Sequence, residues 1–212
     1  MKRPWLAILL ALIVTTASWA DKTDYKGEDK AREGVKAYQA RHFQESVKLL
    51  KSALDLGVKE RPLVLTILGN AYDELEDYEQ AIASHKQALR EDPKLYQGWT
   101  NLGVAYRHVG DYDSAEEAYQ KALELKPDYA ELHASLGALY IYRKEPKKAI
   151  ASLEKAIELN PKLPVAYANI SLAYAMVDRF EEAEEALDQA VKLGYRNGPA
   201  IRKQIDGLKA DK

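Results

Sequence analysis

The chain has 212 residues, no cysteine and a formal net charge of −2, from 31 basic and 33 acidic side chains. The lack of cysteine excludes disulfides, thiolate metal sites and cysteine nucleophiles. The balanced charge offers no case for the clustered basic face that nucleic-acid binding requires. Alanine, leucine, glutamate and lysine dominate, and because their side chains lose little freedom in a helix, the composition favours helices over sheets.

The first twenty residues, MKRPWLAILLALIVTTASWA, have the three-part layout of a secretory signal peptide. Lys2 and Arg3 form a positive start, an apolar run follows, and Ser18-Trp19-Ala20 provides small residues at a cleavage point. The apolar run is about half as long as a bilayer span requires. We therefore expect cleavage after Ala20, with an uncleaved membrane anchor as the alternative. The short positive start is typical of bacterial export and predicts a periplasmic location; a eukaryotic secretory origin is the alternative.

The next part of the chain is a short polar stretch, residues 21–26, which we interpret as a flexible lead-in. From residue 27 onward key residues recur every 34 positions, the period of helix-turn-helix repeats. Small residues recur as Gly69, Gly103, Gly137 and Ser171, and rings recur as Tyr72, Tyr106, Tyr140 and Tyr174. The period predicts five repeats, with the bounds 27–61, 62–95, 96–129, 130–163 and 164–197.

The recurring small residues are expected to let the two helices of a repeat approach closely, because overpacking there typically costs ~1–3 kcal/mol. Prolines after Asp92, Lys126 and Asn160 close three repeats, since the residue before proline resists the helical region. The last segment, 198–212, carries a narrow apolar stripe of Ile201, Ile205 and Leu208. We expect a capping helix that covers the fifth repeat, with a frayed tail as the alternative.

The unit from Tyr96 to Tyr129 resembles the tetratricopeptide repeat. The W-x-x-L-G-x-x-Y…A…A…P pattern of that family is met by Trp99, Leu102, Gly103, Tyr106, Ala115, Ala122 and Pro127. The resemblance implies an all-α fold in which the repeats stack into a right-handed superhelix, or α-solenoid. It also implies a concave groove, lined by the first helix of each repeat, that binds a segment of another protein. Exported bacterial members of the family commonly serve assembly of the cell envelope.

The family's groove positions, carried onto this sequence, imply a set of partner-binding residues. These are Asn70, Asp73, Asn101, Val104, Arg107, His108, Ala138, Ile141, Tyr142, Leu172 and Met176. We expect Arg107, His108 and Tyr142 to be the central anchors, because arginine and tyrosine are enriched among interface hot spots. Leu172 and the flexible Met176 are expected to accept an apolar side chain.

Two of these residues, Asn70 and Asn101, stand where the carboxylate-clamp subfamily keeps its asparagines. Thr66, Glu131 and Ser135 hold the places where that clamp needs cations, so binding of an acidic chaperone tail is not expected. The two amides are instead expected to hydrogen-bond a partner's backbone. The alternative is that both are ordinary repeat residues without a ligand.

No constellation of catalytic or metal-binding residues stands out. His85 and His133 take places that hold rings in other repeats and are expected to pack in or near the core, while His42 lies in a turn. The acidic run at 181–185 is interpreted as a helix start, and nucleotide and nucleophile motifs are missing. We expect no cofactor, no metal and no enzymatic activity. A self-associating scaffold, in which the apolar surface meets a second copy, is the alternative to partner binding.

Overall fold

The computed structural model describes residues 26–210, and all regular secondary structure in that range is α-helical. The helices are α1 (Lys26–Gln39), α2 (Phe43–Leu56), α3 (Arg61–Glu74), α4 (Tyr78–Glu91), α5 (Tyr96–His108), α6 (Tyr112–Leu125), α7 (Ala130–Tyr142), α8 (Pro146–Leu159), α9 (Pro164–Ala175), α10 (Phe180–Lys192) and α11 (Gly198–Ala210). The predicted all-α fold is confirmed. The predicted signal peptide, 1–20, and most of the predicted lead-in lie outside the described residues, and Lys26, its last residue, begins α1.

The helices divide between Val109 and Gly110 into two compact units. Unit 1 holds α1–α5, in which α1 packs on α2, α3 on α4, and α5 on α4. Unit 2 holds α6–α11, in which α7 packs on α8, α9 on α10, and α11 on α10 and α9. Within each unit the first helices of consecutive repeats also touch, α3 with α5 and α7 with α9.

The turn between the first and second helix of each repeat uses one residue in the left-handed region. The five residues are Arg41, Glu76, Gly110, Lys144 and Asp178, with φ between 58° and 78°. In four of these turns the next N–H bonds the carbonyl five residues back, as Asp77 does to Tyr72 at 3.0 Å and Glu145 to Tyr140 at 2.8 Å. This is the Schellman arrangement, which ends a helix and satisfies its last carbonyls. In these four repeats the turn therefore sets the direction of the second helix.

A small residue on the first helix lets the second helix approach it. A Cβ added to Gly69 would lie 2.5 Å from Cε1 of His85, and one added to Gly137 would lie 2.3 Å from Cγ of Leu153. Both partner side chains are buried and come from the second helix of the same repeat. The predicted role of the recurring glycine is therefore confirmed at these two positions, because any larger residue would push the helices apart.

The C-terminal helix α11 packs its apolar stripe on the fifth repeat. Ile201 and Ile205 are buried in a cluster with Ala183 and Leu187, and Leu208 packs at its edge. Salt bridges from α11 to α10 flank this cluster, at 2.9 Å from Arg202 to Glu184 and to Asp188, and at 3.0 Å from Lys209 to Glu184.

None of the helices between residues 26 and 210 combines the length and the apolar character that crossing a membrane requires.

Candidate functional site

The first helices of the second and third repeats, α3 and α5, carry the unit 1 residues that were predicted to bind a partner. Asn70 and Asp73 lie on α3, and Asn101, Val104, Arg107 and His108 lie on α5. These six residues differ in how far they are buried. The side chains of Asn70, Asp73 and Asn101 are buried. Val104 and Arg107 are half-buried, and His108 is exposed. Of these six predicted residues, only Val104, Arg107 and His108 are accessible.

The two asparagines do not form part of the accessible surface. Asn70 is 0 % exposed and Asn101 is 5 % exposed. In this conformation their amides are out of reach of a partner's backbone, contrary to the expectation from the family's groove positions. Both polar atoms of Asn70 and the Nδ2 of Asn101 have no hydrogen-bond partner within residues 26–210.

Asp73 also has a role different from the one that the groove positions imply. Its side chain is 5 % exposed, and Oδ2 lies 3.3 Å from Nε2 of the fully buried His85. The pair joins α3 to α4 inside the second repeat, so Asp73 serves packing and not partner contact in this structure. The expectation that His85 packs in the core is confirmed. Its pairing with Asp73 was missed, because a spacing of twelve residues across a turn gives no periodic signal.

His108, at the end of α5, is held by a ring from α4. Its imidazole stacks on Tyr78 with the ring centroids 4.9 Å apart and the planes 2° from parallel. Burial raises the pKa of the Tyr78 hydroxyl, the charges of Glu76 and Asp73 add to that effect, and Arg107 opposes it. The Tyr78 ring is therefore neutral at physiological pH and gives His108 a fixed support.

In unit 2 the predicted partner-binding residues lie on α7 and α9. Tyr142 is 56 % exposed at the end of α7, and its ring lies 6.2 Å from that of Tyr112, tilted by 27°. Ala138 and Ile141 on α7, Leu172 on α9 and Met176, which directly follows α9, are half-buried. These residues form an apolar surface on neighbouring first helices, which we call the α7–α9 face.

Two residues of the α7–α9 face also support the core beneath it. Ile141 packs against the buried cluster around Leu153 and Ile170, and Leu172 packs against the cluster that contains Ile201 and Ile205. Only part of each side chain is therefore available to a partner. Tyr142 contributes the largest exposed ring of the face.

The supporting rings Tyr78 and Tyr112 were missed by the sequence analysis. They lie 34 residues apart, each at the start of a second helix and 30 residues before the ring that it stacks on. This repeated spacing is the signal that could have identified them.

A polar network beside the α7–α9 face ties α6 to α7. The Tyr140 hydroxyl donates to Glu116 at 2.6 Å, and Arg143 donates to Glu116 and Asp113 at 2.9 and 2.8 Å. Burial and the hydrogen bond to Glu116 raise the pKa of Tyr140. Hydrogen bonds from Lys148 and then Arg143 lower the pKa of Glu145 in the following turn. The network holds the C-terminal end of α7, which carries Tyr142.

Within residues 26–210, no cluster of three or more histidine, aspartate or glutamate side chains has the geometry to hold a metal ion.

The comparisons with known proteins agree with the helical-repeat architecture. Models described as tetratricopeptide repeat match residues 64–95, 96–129, 130–163 and 164–193. Comparison with curated protein sequences gives no significant match. The chain is similar to the solved structure of MamA, with 26% identity, 78% of this chain and 96% of that chain covered, and a TM-score of 0.65.

Two further solved structures share the fold. A thermophilic tetratricopeptide-repeat protein of Thermus thermophilus is 22% identical, with 87% of this chain and 99% of that chain covered and a TM-score of 0.70. MamA of Desulfovibrio magneticus, residues 41 to the end, is 20% identical, with 79% and 94% covered and a TM-score of 0.69.

Proposed function

The chain belongs to the tetratricopeptide-repeat family, typically scaffolds for protein–protein interaction, and we propose that it is an exported scaffold without enzymatic activity that binds a partner of the bacterial cell envelope. The partner contacts accessible residues on the first helices of the repeats. In unit 1 these are Val104, Arg107 and His108, and in unit 2 they are the α7–α9 face. Asn70, Asp73 and Asn101 are not contact residues in this proposal.

The observation that carries the proposal is the exposure of Tyr142 within an apolar surface. An exposed ring that is stacked on a second ring loses little conformational freedom on binding, because its position is already fixed. Tyrosine and arginine are also the residue types that contribute most at interface hot spots. Tyr142 and Arg107 are therefore the anchors whose loss weakens binding most.

The binding surface is tested by capture of partners from an envelope extract, with identification by mass spectrometry. We expect Tyr142→Ala and Arg107→Glu each to reduce capture of the same partner by about tenfold or more, because a hot-spot residue contributes about 2 kcal/mol or more. Leu125→Ala and Arg90→Glu are matched controls, since both residues are exposed and lie on second helices. Equal capture by the anchor variants and the controls would contradict the proposal.

Self-association through the same apolar face is separated from partner binding by light scattering during size-exclusion chromatography. A mass that stays at the monomer value over a wide concentration range supports binding of a different protein. A dimer that dissociates on Tyr142→Ala would instead identify the face as a contact between copies.

The location in the periplasm is proposed from the N-terminal twenty residues. Removal of residues 1–20 by the export machinery leaves Asp21 as the first residue. N-terminal sequencing of the protein isolated from the periplasmic fraction should therefore begin Asp-Lys-Thr-Asp-Tyr. A sequence that begins at Met1, or recovery in the membrane fraction, would show that the segment is retained.

A further inference from the structure

The chain has a single Asn-Gly pair, Asn197 and Gly198, at the start of the C-terminal helix α11. Asn197 is exposed, whereas Gly198 is buried. The Asn197 carbonyl accepts a hydrogen bond from the N–H of Ile201 at 3.3 Å, which makes Asn197 the N-cap residue of α11. The main chain at Asn197 therefore determines where α11 begins.

The side-chain amide of Asn197 is not held by a hydrogen bond. An N-cap side chain usually accepts one from the second or third N–H of its helix. In α11 the second residue is Pro199, which has no N–H, and the third is Ala200. Neither Ala200 nor any other group within residues 26–210 bonds the Asn197 side chain. The Cγ atom of Asn197 is therefore open to reaction with a neighbouring nitrogen.

The main-chain nitrogen of Gly198 is equally uncommitted. The first N–H groups of a helix have no partner inside that helix, and the N–H of Gly198 donates to no carbonyl in the part of the chain that the structure describes. Glycine has no side chain that would shield this nitrogen from Asn197. A Cβ at this position would lie 2.6 Å from Cγ2 of Val191. The packing of α11 on α10 thus favours the residue that leaves Asn197 unprotected.

The other four asparagines of the chain lack this combination. Asn160 precedes a proline, whose nitrogen carries no hydrogen and cannot form the new bond. Asn70, Asn101 and Asn169 lie inside α3, α5 and α9, where the next N–H donates to the carbonyl one turn earlier. The chain therefore contains one reactive asparagine and four internal references.

We propose that Asn197 is a site of spontaneous deamidation, and that the isoaspartate formed there loosens α11 from the fifth repeat. Asparagine is among the thermolabile residue types. The Gly198 nitrogen loses its proton to hydroxide and bonds Cγ of Asn197, and the Cγ–Nδ2 bond breaks as ammonia leaves with a proton from water. Water then opens the resulting succinimide ring. Opening at Cγ gives aspartate at position 197, and opening at the main-chain carbonyl gives isoaspartate.

The two products have opposite effects on α11. Aspartate keeps the main chain and places a negative charge at the N-terminus of the helix, where the helix dipole stabilises it. Isoaspartate adds one carbon atom to the main chain and converts the carbonyl that accepts from Ile201 into a free carboxylate. Ile201 and Ile205 are buried against Ala183 and Leu187. A displaced α11 would therefore uncover the end of the fifth repeat.

The site goes beyond the proposed function, because α11 carries none of the proposed partner contacts. The first test stores the purified full chain for weeks at physiological temperature and mildly alkaline pH and then analyses its peptides by mass spectrometry. We expect conversion of the amide to an acid at Asn197 to be at least about tenfold faster than at Asn160 and Asn169. Equal conversion at the three positions, or none at Asn197, would overturn the proposal.

The isoaspartate is detected with a protein isoaspartyl methyltransferase as the probe. Methyl transfer to the stored original chain is expected to exceed transfer to stored Asn197→Ser, which keeps an N-cap residue but has no amide to lose. Equal transfer to both chains would show that the isoaspartate forms elsewhere and would overturn the proposal. Tyr142→Ala, which tests the proposed function, should accept as many methyl groups as the original chain.

The effect on α11 is measured by amide hydrogen exchange, which reports local opening. In the purified isoaspartyl form, the amides of Ile201 and Ile205 are expected to exchange at least about tenfold faster than in the fresh chain. Asn197→Asp, the matched control, should exchange as slowly as the fresh chain or more slowly. Unchanged exchange in the isoaspartyl form would overturn the proposed loosening of α11.

Discussion

Replacing His85 with leucine is expected to lower the free energy of unfolding by about 1–3 kcal/mol, the usual cost of leaving a buried hydrogen-bonding group without its partner. The leucine itself fits, because Leu50, Leu153 and Leu187 hold the equivalent positions in three other repeats and are fully buried. The cost comes from Asp73, whose carboxylate would remain buried without its imidazole partner. The midpoint and slope of urea unfolding, followed by circular dichroism, measure this change.

The double variant Asp73→Ile with His85→Leu isolates the cause. It removes both polar partners and installs the residue types that the fourth repeat has at these positions, Ile141 and Leu153. We expect its free energy of unfolding to lie within about 1 kcal/mol of that of the original chain, or above it. Apolar replacement of a buried pair is often neutral or stabilising.

His133→Leu is the matched control for this experiment. His133 is half-buried and bonds the Pro127 carbonyl, so its replacement should cost only about 0.5–1.5 kcal/mol. If His85→Leu were as stable as the original chain, the buried pair would not contribute to the stability of unit 1.

Adding one methyl group at Gly137 is expected to destabilise unit 2 by about 1–3 kcal/mol, because it overpacks a closed helix contact. The new Cβ of Gly137→Ala would lie 2.3 Å from Cγ and 2.7 Å from Cδ2 of Leu153. Leu153 is fully buried, so α7 and α8 must move apart. The change should appear as a lower urea midpoint with an unchanged slope.

Gly207→Ala, also in unit 2, is expected to raise the stability of the protein. The added Cβ meets no atom within 4 Å, and Gly207 lies within helix α11. Alanine in a helix is favoured over glycine by about 0.5–1 kcal/mol, so this variant should be more stable than the original chain. A Gly137→Ala variant that gains stability like Gly207→Ala would show that the contact with Leu153 is not closed.

Self-association by end-to-end stacking would use α1 and α11, the first and last helices within residues 26–210. The exposed side of α1 carries charged residues such as Asp29 and Lys36, and the exposed side of α11 carries Arg202, Lys203 and Asp206. Stacking of copies through these helices would bury charged groups without an apolar gain. Contact between copies is therefore expected through the α7–α9 face, which is why the test for self-association uses Tyr142→Ala.

The amino-acid sequence by itself determined the fold, because the 34-residue step of glycine, alanine and tyrosine reports the packing inside each repeat. Gly69 and Gly137 contact the second helix in the way that this period implies. Helix bounds follow from local signals as well, such as the Asp77 side chain that accepts from the N–H of Gln80 at the start of α4. Such features need only neighbouring residues, so they can be predicted without coordinates.

The tertiary structure alone decided which groove positions are accessible. Asn70 and Asp73 have the spacing of surface residues on α3, but contacts with other helices bury them, and burial depends on neighbours that are distant in sequence. Periodicity identifies which residues form the repeat, and the packing of several helices determines which side chains remain for a partner.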